Sequence, residues 1–469
     1  MKNQSYIILV TLVATLGGLL FGYDTAVISG TVESLKHFFI DPLGLDELSA
    51  NSLHGTLVSS ALIGCVIGGI SGGIMALKFG RRTSLMIAAV LFTISAIGSS
   101  MPEMGFVPIG QGNHLFLVHF IVYRIIGGIG VGLASMLSPM YIAELAPAEK
   151  RGHLVSWNQF AIIFGMLIVY FVNYAISRQG DDSWLHTIGW RWMFASEIIP
   201  ALLFFALLFF VPESPRWLVI KNKPALAMGV LEKINTKEKA QTILSDIKKS
   251  LNDKVSGKLL SYGGLIIFIG VMLSVFQQFV GINVVLYYAP EIFKKMGFGT
   301  DTALLQTIIV GVINLTFTVI AILTVDKYGR KPLMIIGALG MAVSMFGLGF
   351  SFFFGRVGMG SLLLMLVYVA SFAMSWGPVT WVLLAEIFPN RIRGKAMAIA
   401  VAAQWVSNYL ISWTFPMMDN STWLNKLFNH GFAYWLYGIM GLLAAWFVFK
   451  LVPETKGKTL EEMELLFKK

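Results

Sequence analysis

The feature that most constrains this chain is a series of apolar runs, each long enough to cross a lipid bilayer. A bilayer core needs about 20 mostly apolar residues per helix. Twelve such runs occur: 6–30, 53–77, 83–101, 115–143, 152–177, 192–211, 262–290, 303–325, 332–355, 357–385, 396–418 and 427–449. In lipid a helix satisfies its backbone donors and acceptors internally, so the runs are expected as twelve transmembrane helices. The first run continues too far to be a cleaved signal peptide. Composition agrees, since only 13% of residues are charged and mean hydropathy is +0.74. A soluble domain carries about 25% charged residues. An ordinary cytosolic enzyme and a disordered chain are both excluded. The single cysteine, Cys65, lies in an apolar run and is expected to be a buried, inert thiol.

Charge placement gives sidedness. An even number of spans puts both termini on one side. Of the 35 Lys and Arg residues, 27 fall on that side, seven on the other, and Arg124 inside a span. The positive-inside rule then places both termini and segment 212–261 in the cytoplasm. The net charge of +10 follows loop parity rather than forming one patch, so nucleic-acid binding is not expected.

The cytoplasmic loops repeat. Lys78-Phe79-Gly80-Arg81-Arg82 recurs as Lys327-Tyr328-Gly329-Arg330-Lys331. Ala143-Glu144-x-x-Pro147-x-x-x-Arg151-Gly152 recurs as Ala385-Glu386-x-x-Pro389-x-x-x-Arg393-Gly394. Pro212-Glu213 closes the sixth span and Pro453-Glu454 the twelfth. The offsets are 249, 242 and 241 residues, which implies two six-helix halves. Residues 1–211 form the first half, 212–261 a helical linker, 262–452 the second half and 453–469 a tail. Parallel halves with a substrate site between them are a secondary-transporter architecture. Glu144, Arg151 and Arg81, with Glu386, Arg393 and Arg330, can pair at the cytoplasmic face. They read either as latches that hold the halves in the outward-facing state or as interfacial anchors.

Ionisable groups inside the spans are few. A charge at a helix centre costs at least about 2.5–3.5 kcal/mol on insertion scales. Asp24, Arg124 and Glu197 occur in the first, fourth and sixth spans, while the six C-terminal spans as drawn contain none. Asp24 and Arg124 read as a structural pair or as a proton site. In the second reading desolvation and the arginine pull the carboxyl in opposite directions, and helix movement tips the balance. Glu197 reads as a modulator of that site or as a residue snorkelling near its span's outer end.

The second half carries amides instead. Gln277, Gln278 and Asn283 lie in the seventh span, Asn314 in the eighth, and Gln404 and Asn408 in the eleventh. Gln159 lies in the fifth. Amides both donate and accept, which suits the hydroxyls of a neutral ligand. Phe21, Phe276, Tyr287, Tyr288, Trp381 and Trp405 intersperse them. Any one amide reads equally as an interhelical hydrogen bond, but the set points to a sugar site. Gly281 and Pro290 bracket the polar stretch of the seventh span, and Gly377-Pro378 interrupts the tenth, so kinks are expected in both.

Gly22-Tyr23-Asp24, Arg124-Ile125-Ile126-Gly127-Gly128, Pro212-Glu213-Ser214-Pro215-Arg216-Trp217, Gln277-Gln278-Phe279-x-Gly281-Ile282-Asn283 and Pro453-Glu454-Thr455-Lys456-Gly457 resemble the sugar porters of the major facilitator superfamily. The resemblance runs end to end and is closest to bacterial D-xylose–proton symporters. It implies the major facilitator fold, proton-driven xylose uptake across a bacterial inner membrane and no cofactor or bound metal; a monomer is expected. It implies that Asp24 accepts the proton, partnered by Arg124 and modulated by Glu197. Gln159, Gln277, Gln278, Asn283, Trp381 and Gln404 are implied to bind sugar, with Phe21, Tyr287 and Trp405 lining the site; Asn314 joins them as a lining residue. Two positions depart from the pattern. Leu77 stands where an acidic residue is usual, while the second copy keeps Asp326. Met166 stands where xylose symporters carry a second glutamine on the fifth span, which leaves the preferred sugar open. A facilitator, or a symporter for another pentose or hexose such as glucose, is the alternative. A sugar sensor is a remoter one, because the stretch after Val452 is shorter than a signalling tail. No phosphate loop or nucleophile elbow points to an enzyme.

Overall fold

The computed structural model describes residues 4–147, 150–252, 264–389 and 392–456, except the side chains of residues 250–252 and 326. The described residues are helices and turns, with no strand among them. Eleven helices meet the length and hydropathy needed to span a membrane: Gln4–Gly30, Glu47–Phe79, Arg81–Ser100, His114–Leu145, Arg151–Ser177, Asp182–Phe210, Gly264–Lys295, Thr300–Val325, Arg330–Phe353, Met359–Ile387 and Phe432–Leu451. The helix Arg393–Asp419 completes the expected twelve. Its polar face, with Gln404, Ser407, Asn408 and Ser412 buried, lowers its hydropathy.

Several expected boundaries differ, among them those of the seventh and twelfth spans, and so do the kinks expected at Pro290 and Gly377-Pro378. The twelfth span starts at Phe432 rather than 427. Phe428 instead ends a short helix, Thr422–Phe428. Asn429 (φ 43°) and His430 (φ 64°) then turn left-handed, which stops a helix whatever its hydropathy. The seventh span continues past Pro290 to Lys295 and carries Glu291 with it. Proline leaves the carbonyl four residues earlier without its donor. Here that carbonyl, Leu286 O, accepts a hydrogen bond from Tyr170 Oη at 3.1 Å. The break falls at Gly281, the other expected breaker of this span, where φ is +92°. The tenth span breaks at Ser375, two residues before the Gly377-Pro378 pair.

Glycines set the closest helix approaches. A Cβ on Gly128 would lie 1.8 Å from Ala61 O, and one on Gly64 would lie 2.0 Å from Ile125 O. These positions lock the second span to the fourth. Gly22 and Gly165 do the same for the first and fifth, with would-be contacts of 1.8 Å to Ile162 O and 2.1 Å to Leu19 O. Small residues that let backbones touch are what packs helices in lipid. Gly17 sets the first span against the fourth, with a would-be contact of 2.3 Å to Ser138 Oγ, and so helps hold Asp24 and Arg124 at one depth.

The sequence repeat is a structural repeat at the face where the first span starts and the twelfth ends. We term this the terminal face, and the opposite one the distal face. Gly80 (φ +96°) and Gly329 (φ +89°) open the third and ninth spans in conformations that favour glycine. The freed amides of Arg81 and Arg82 donate to the Glu213 carboxylate. Those of Arg330 and Lys331 donate to Glu454. Burial works against charge on Glu454, but the amides of Lys456, Arg330 and Lys331 outweigh it and hold the carboxyl below its ordinary range. Beyond Glu213, the helices Pro215–Ile220, Pro224–Ile234 and Lys237–Asn252 follow. Leu218, Leu231 and Ile234 are buried on the first two, so they pack under the bundle.

Substituting Gly128 by alanine is expected to overpack the crossing of the second and fourth spans, at a cost of about 1–3 kcal/mol. Thermal unfolding in detergent should show a lower midpoint for Gly128→Ala. Gly152→Ala, where nothing lies within 4 Å of the added carbon, should leave the midpoint unchanged.

Candidate functional site

Asp24, Arg124 and Glu197 lie together, sealed from solvent at 0%, 1% and 0% exposure. Arg124 Nη1 donates to Asp24 Oδ1 at 2.7 Å, and Nη2 donates to Asp24 O at 3.1 Å. The guanidinium also lies over the Phe194 ring, 5.2 Å from its centroid. Asp24 Oδ2 and both carboxylate oxygens of Glu197 have no hydrogen-bond partner. Glu197 feels the charges of both Asp24 and Arg124. The snorkelling reading of Glu197 is therefore corrected. The sixth span begins at Asp182, so Glu197 lies midway along it, at the break between Trp190–Ala195 and Ile198–Leu207. Next to it, Ser196 Oγ and Tyr23 Oη are 2.7 Å apart, which ties the first span to the sixth. One buried cation thus faces two buried carboxyl groups. Only one carboxylate oxygen is engaged with it, so the site has room for one more positive charge, and a proton is the smallest.

The amides of the seventh span form a chain. Asn283 Nδ2 donates to Gln278 Oε1 at 2.5 Å, and Gln278 Nε2 reaches Gln277 Oε1 at 3.4 Å. Gln277 Nε2 donates to the carbonyls of Trp376 and Gly377 at 2.9 and 3.2 Å. The break at Gly281 thus faces the break in the tenth span. Broken helices at membrane depth are tolerated where protein satisfies their backbone. On the eleventh span Asn408 Nδ2 donates to Tyr287 Oη at 3.4 Å. Gln404 Oε1 and Trp405 Nε1 are buried without partners. Phe21 and Trp405, from opposite halves, approach to 5.6 Å between ring centroids. Gln159 and Trp381 are partly exposed, Asn314 and Met166 are buried, and none of the four side chains makes a hydrogen bond among the described residues. The structure therefore links Gln277, Gln278 and Asn283 directly. It leaves Gln159, Asn314, Trp381 and Gln404 with uncommitted polar atoms.

At the terminal face Glu144 pairs with Arg81 at 2.7 Å and accepts from Ser214 Oγ. Glu386 pairs with Arg330 at 2.8 Å and accepts from Thr455 Oγ1 at 2.5 Å. Arg151 is exposed, and Arg393 Nε donates to Phe388 O. The carboxylates thus meet the arginine of the preceding loop, not the one seven residues on. The side chain of Asp326 lies outside the described residues.

Described hydrogen bonds between the halves lie away from this face. Lys294 donates to Glu33, Arg178 meets Asp301 at 2.5 Å, and Trp413 Nε1 donates to Ser52 O at 3.2 Å. Sequence reading missed these groups and two further acids, the half-buried Glu291 and the buried Asp419. Glu291 follows a proline that looked like a helix end. Asp419, 3% exposed at the end of the eleventh span, meets Lys295 at 2.5 Å.

The family profile described as Sugar (and other) transporter matches residues 10–467. The chain is 66% identical over 473 residues to the D-xylose-proton symporter of Escherichia coli K12, covering 99% of this chain and 96% of that one. It is 42% identical to the glucose facilitated diffusion protein of Zymomonas mobilis, over 100% of this chain and 98% of that protein. Its structure matches the inward-open conformation of the xylose transporter XylE from E. coli with a TM-score of 0.89 at 64% identity, covering 98% of this chain and 100% of the other. The chain is a membrane protein of twelve spanning helices with the major facilitator fold, and it belongs to the sugar transporter family.

Proposed function

We propose that this protein imports D-xylose together with a proton by alternating access. The observation that carries this reading is the free oxygen of Asp24, sealed in the membrane beside Arg124 and Glu197. The identity to a D-xylose-proton symporter supports it. Asp24 Oδ2 takes the proton. Neutralised, Asp24 holds Arg124 less tightly, the first and fourth spans part, and the halves can rock around the bound sugar. Sugar hydroxyls meet Gln159, Gln277, Gln278, Asn283 and Gln404, with Trp381 donating from the tenth span. Phe21, Tyr287, Asn314, Met166 and Trp405 line the site, and aromatic rings face the carbon-bound hydrogens.

In this reading the terminal face is cytoplasmic in a bacterial plasma membrane, the distal face is external, and the transporter works as a monomer in the bilayer. The structure is then inward-facing, because its described links between halves lie at the external side. The paired acids and arginines of the cytoplasmic loops trade partners within a half for partners across the halves when that side closes. The 1–211 and 262–452 halves are the rocking bodies, joined by the 212–261 linker, with 453–469 as a tail.

Sugar-induced alkalinisation of the medium in de-energised cells is expected, and its absence would favour the facilitator reading. Asp24→Asn should abolish concentrative uptake while sparing sugar counterflow; persisting accumulation would remove Asp24 as the coupling site. Glu144→Gln weakens cytoplasmic closure, so spin labels on the cytoplasmic ends of the fourth and tenth spans should report more of the wide-open population. An unchanged distance distribution would leave these pairs as anchors only. Met166→Gln restores an amide to the fifth span and one hydrogen bond, worth about 0.5–1.5 kcal/mol net. Direct titration with xylose and glucose should show xylose binding tightened by about 2- to 12-fold.

A further inference from the structure

Three metal-ligating side chains that are distant in sequence meet at the external face. Glu33 lies on the single turn Val32–Leu35 that follows the first span. His37 is four residues on, one helical turn away on the same face. His186 comes from Leu185–Gly189, the segment that leads into the sixth span. One ligand atom from each lies within 4.8 Å of the others. The two imidazole rings are 4.5 Å apart between centroids.

Each ring is also held from behind. His37 Nδ1 lies 2.9 Å from Asp41 Oδ2, and His186 Nδ1 lies 3.1 Å from Ser34 Oγ. An oxygen on one imidazole nitrogen orients the ring and presents the other nitrogen, the usual support of a metal-bound histidine. Both Asp41 and Ser34 belong to the same short stretch as Glu33 and His37. The side chains of His37 and Glu33 are 50% and 40% exposed, so an ion can enter from solvent.

We propose that Glu33, His37 and His186 form a binding site for a zinc-class divalent cation on the external face. Two imidazoles and a carboxylate suit zinc and its first-row neighbours, and three protein ligands leave one tetrahedral position for water. Calcium and magnesium prefer all-oxygen sites and are not expected to compete.

The site touches the junction of the halves. Glu33 is also the acceptor for Lys294 of the seventh span. A dication on the same carboxylate draws its charge away from Lys294 and repels the ammonium directly. Binding therefore loosens the Glu33–Lys294 link and favours opening at the external side. This second part rests on the alternating-access reading; the metal site itself does not.

The test starts with tag-free, full-length protein in detergent, dialysed to equilibrium against zinc ions. Wild type should bind one zinc, and His37→Ala and His186→Ala should each weaken binding at least tenfold. Asp181→Asn, a nearby acid outside the cluster, should bind like wild type. Equal zinc binding by wild type and both histidine variants would overturn the site. Calcium displacing zinc at similar concentration would overturn the ligand class. In right-side-out vesicles external zinc should slow xylose counterflow in wild type and leave His186→Ala unaffected. Zinc that binds but leaves wild-type counterflow unchanged would overturn the link to opening. Absence of xylose counterflow before any zinc is added would count against the transport reading alone, because the dialysis result stands without it.

Discussion

A carboxylate and a guanidinium closed off inside the bundle set the terms for the rest of this structure. Asp24 and Arg124 are each within 1% of complete burial, and their contact is 2.7 Å. A lone charge at that depth is far too costly, whereas a pair is tolerated if its geometry is good. Good geometry requires the first and fourth spans to be well fixed, and the glycine crossings at Gly22, Gly64, Gly128 and Gly165 hold each of the two against a neighbouring span. Two of those four glycines, Gly22 and Gly128, lie within about two helical turns of Asp24 or Arg124 in sequence. The pair is also incomplete, since Asp24 Oδ2 and Glu197 remain without partners. An ion pair that is affordable but unfinished is a place where protonation and movement can be linked.

The two halves share a scaffold and differ in chemistry. Both end their loops with a left-handed glycine, a glutamate on the freed amides, and an arginine–glutamate–hydroxyl cluster. At mid-depth they diverge. The first half concentrates charge, while the second presents a run of amides anchored by Gln277 on the buried carbonyls of Trp376 and Gly377. Buried charge and the chain of amides are thus concentrated on separate bodies, with Gln159 of the first half standing apart from that chain. Phe21 and Trp405 meet where the bodies meet.

Much of this was legible in the sequence because lipid punishes exceptions. Helix number and order followed from apolar length, and the charged intruders were visible because so few were present. The internal repeat was plain in three loops. What escaped had local causes that hydropathy does not register. Phe428 extends an apolar run, but the left-handed pair Asn429 and His430 ends the helix. Pro290 reads as a terminus, yet Tyr170, over a hundred residues earlier, satisfies the carbonyl that the proline abandons. Glu291 was lost with it. Glu197 was misplaced because its span begins with polar residues from Asp182 onward. The amide set was readable as a set, but which amide touches which carbonyl depends on two helix breaks facing each other. The partner of Glu144 was likewise a matter of loop geometry: Gly80 turns Arg81 back toward it, while Arg151 points to solvent.

The glutamate caps bear on how the chain is made. The amides that open the third span stay uncapped until Glu213 arrives, 131 residues beyond Arg82. Glu213 emerges only after the sixth span has been synthesised. Glu454 likewise comes 123 residues after Lys331, which opens the ninth span. A growing chain therefore cannot close either terminal face span by span. Each half must wait until all six of its helices are in the bilayer, and the last residues to appear bolt down the first loop. A chain arrested within a half would leave the amides of that loop without their carboxylate.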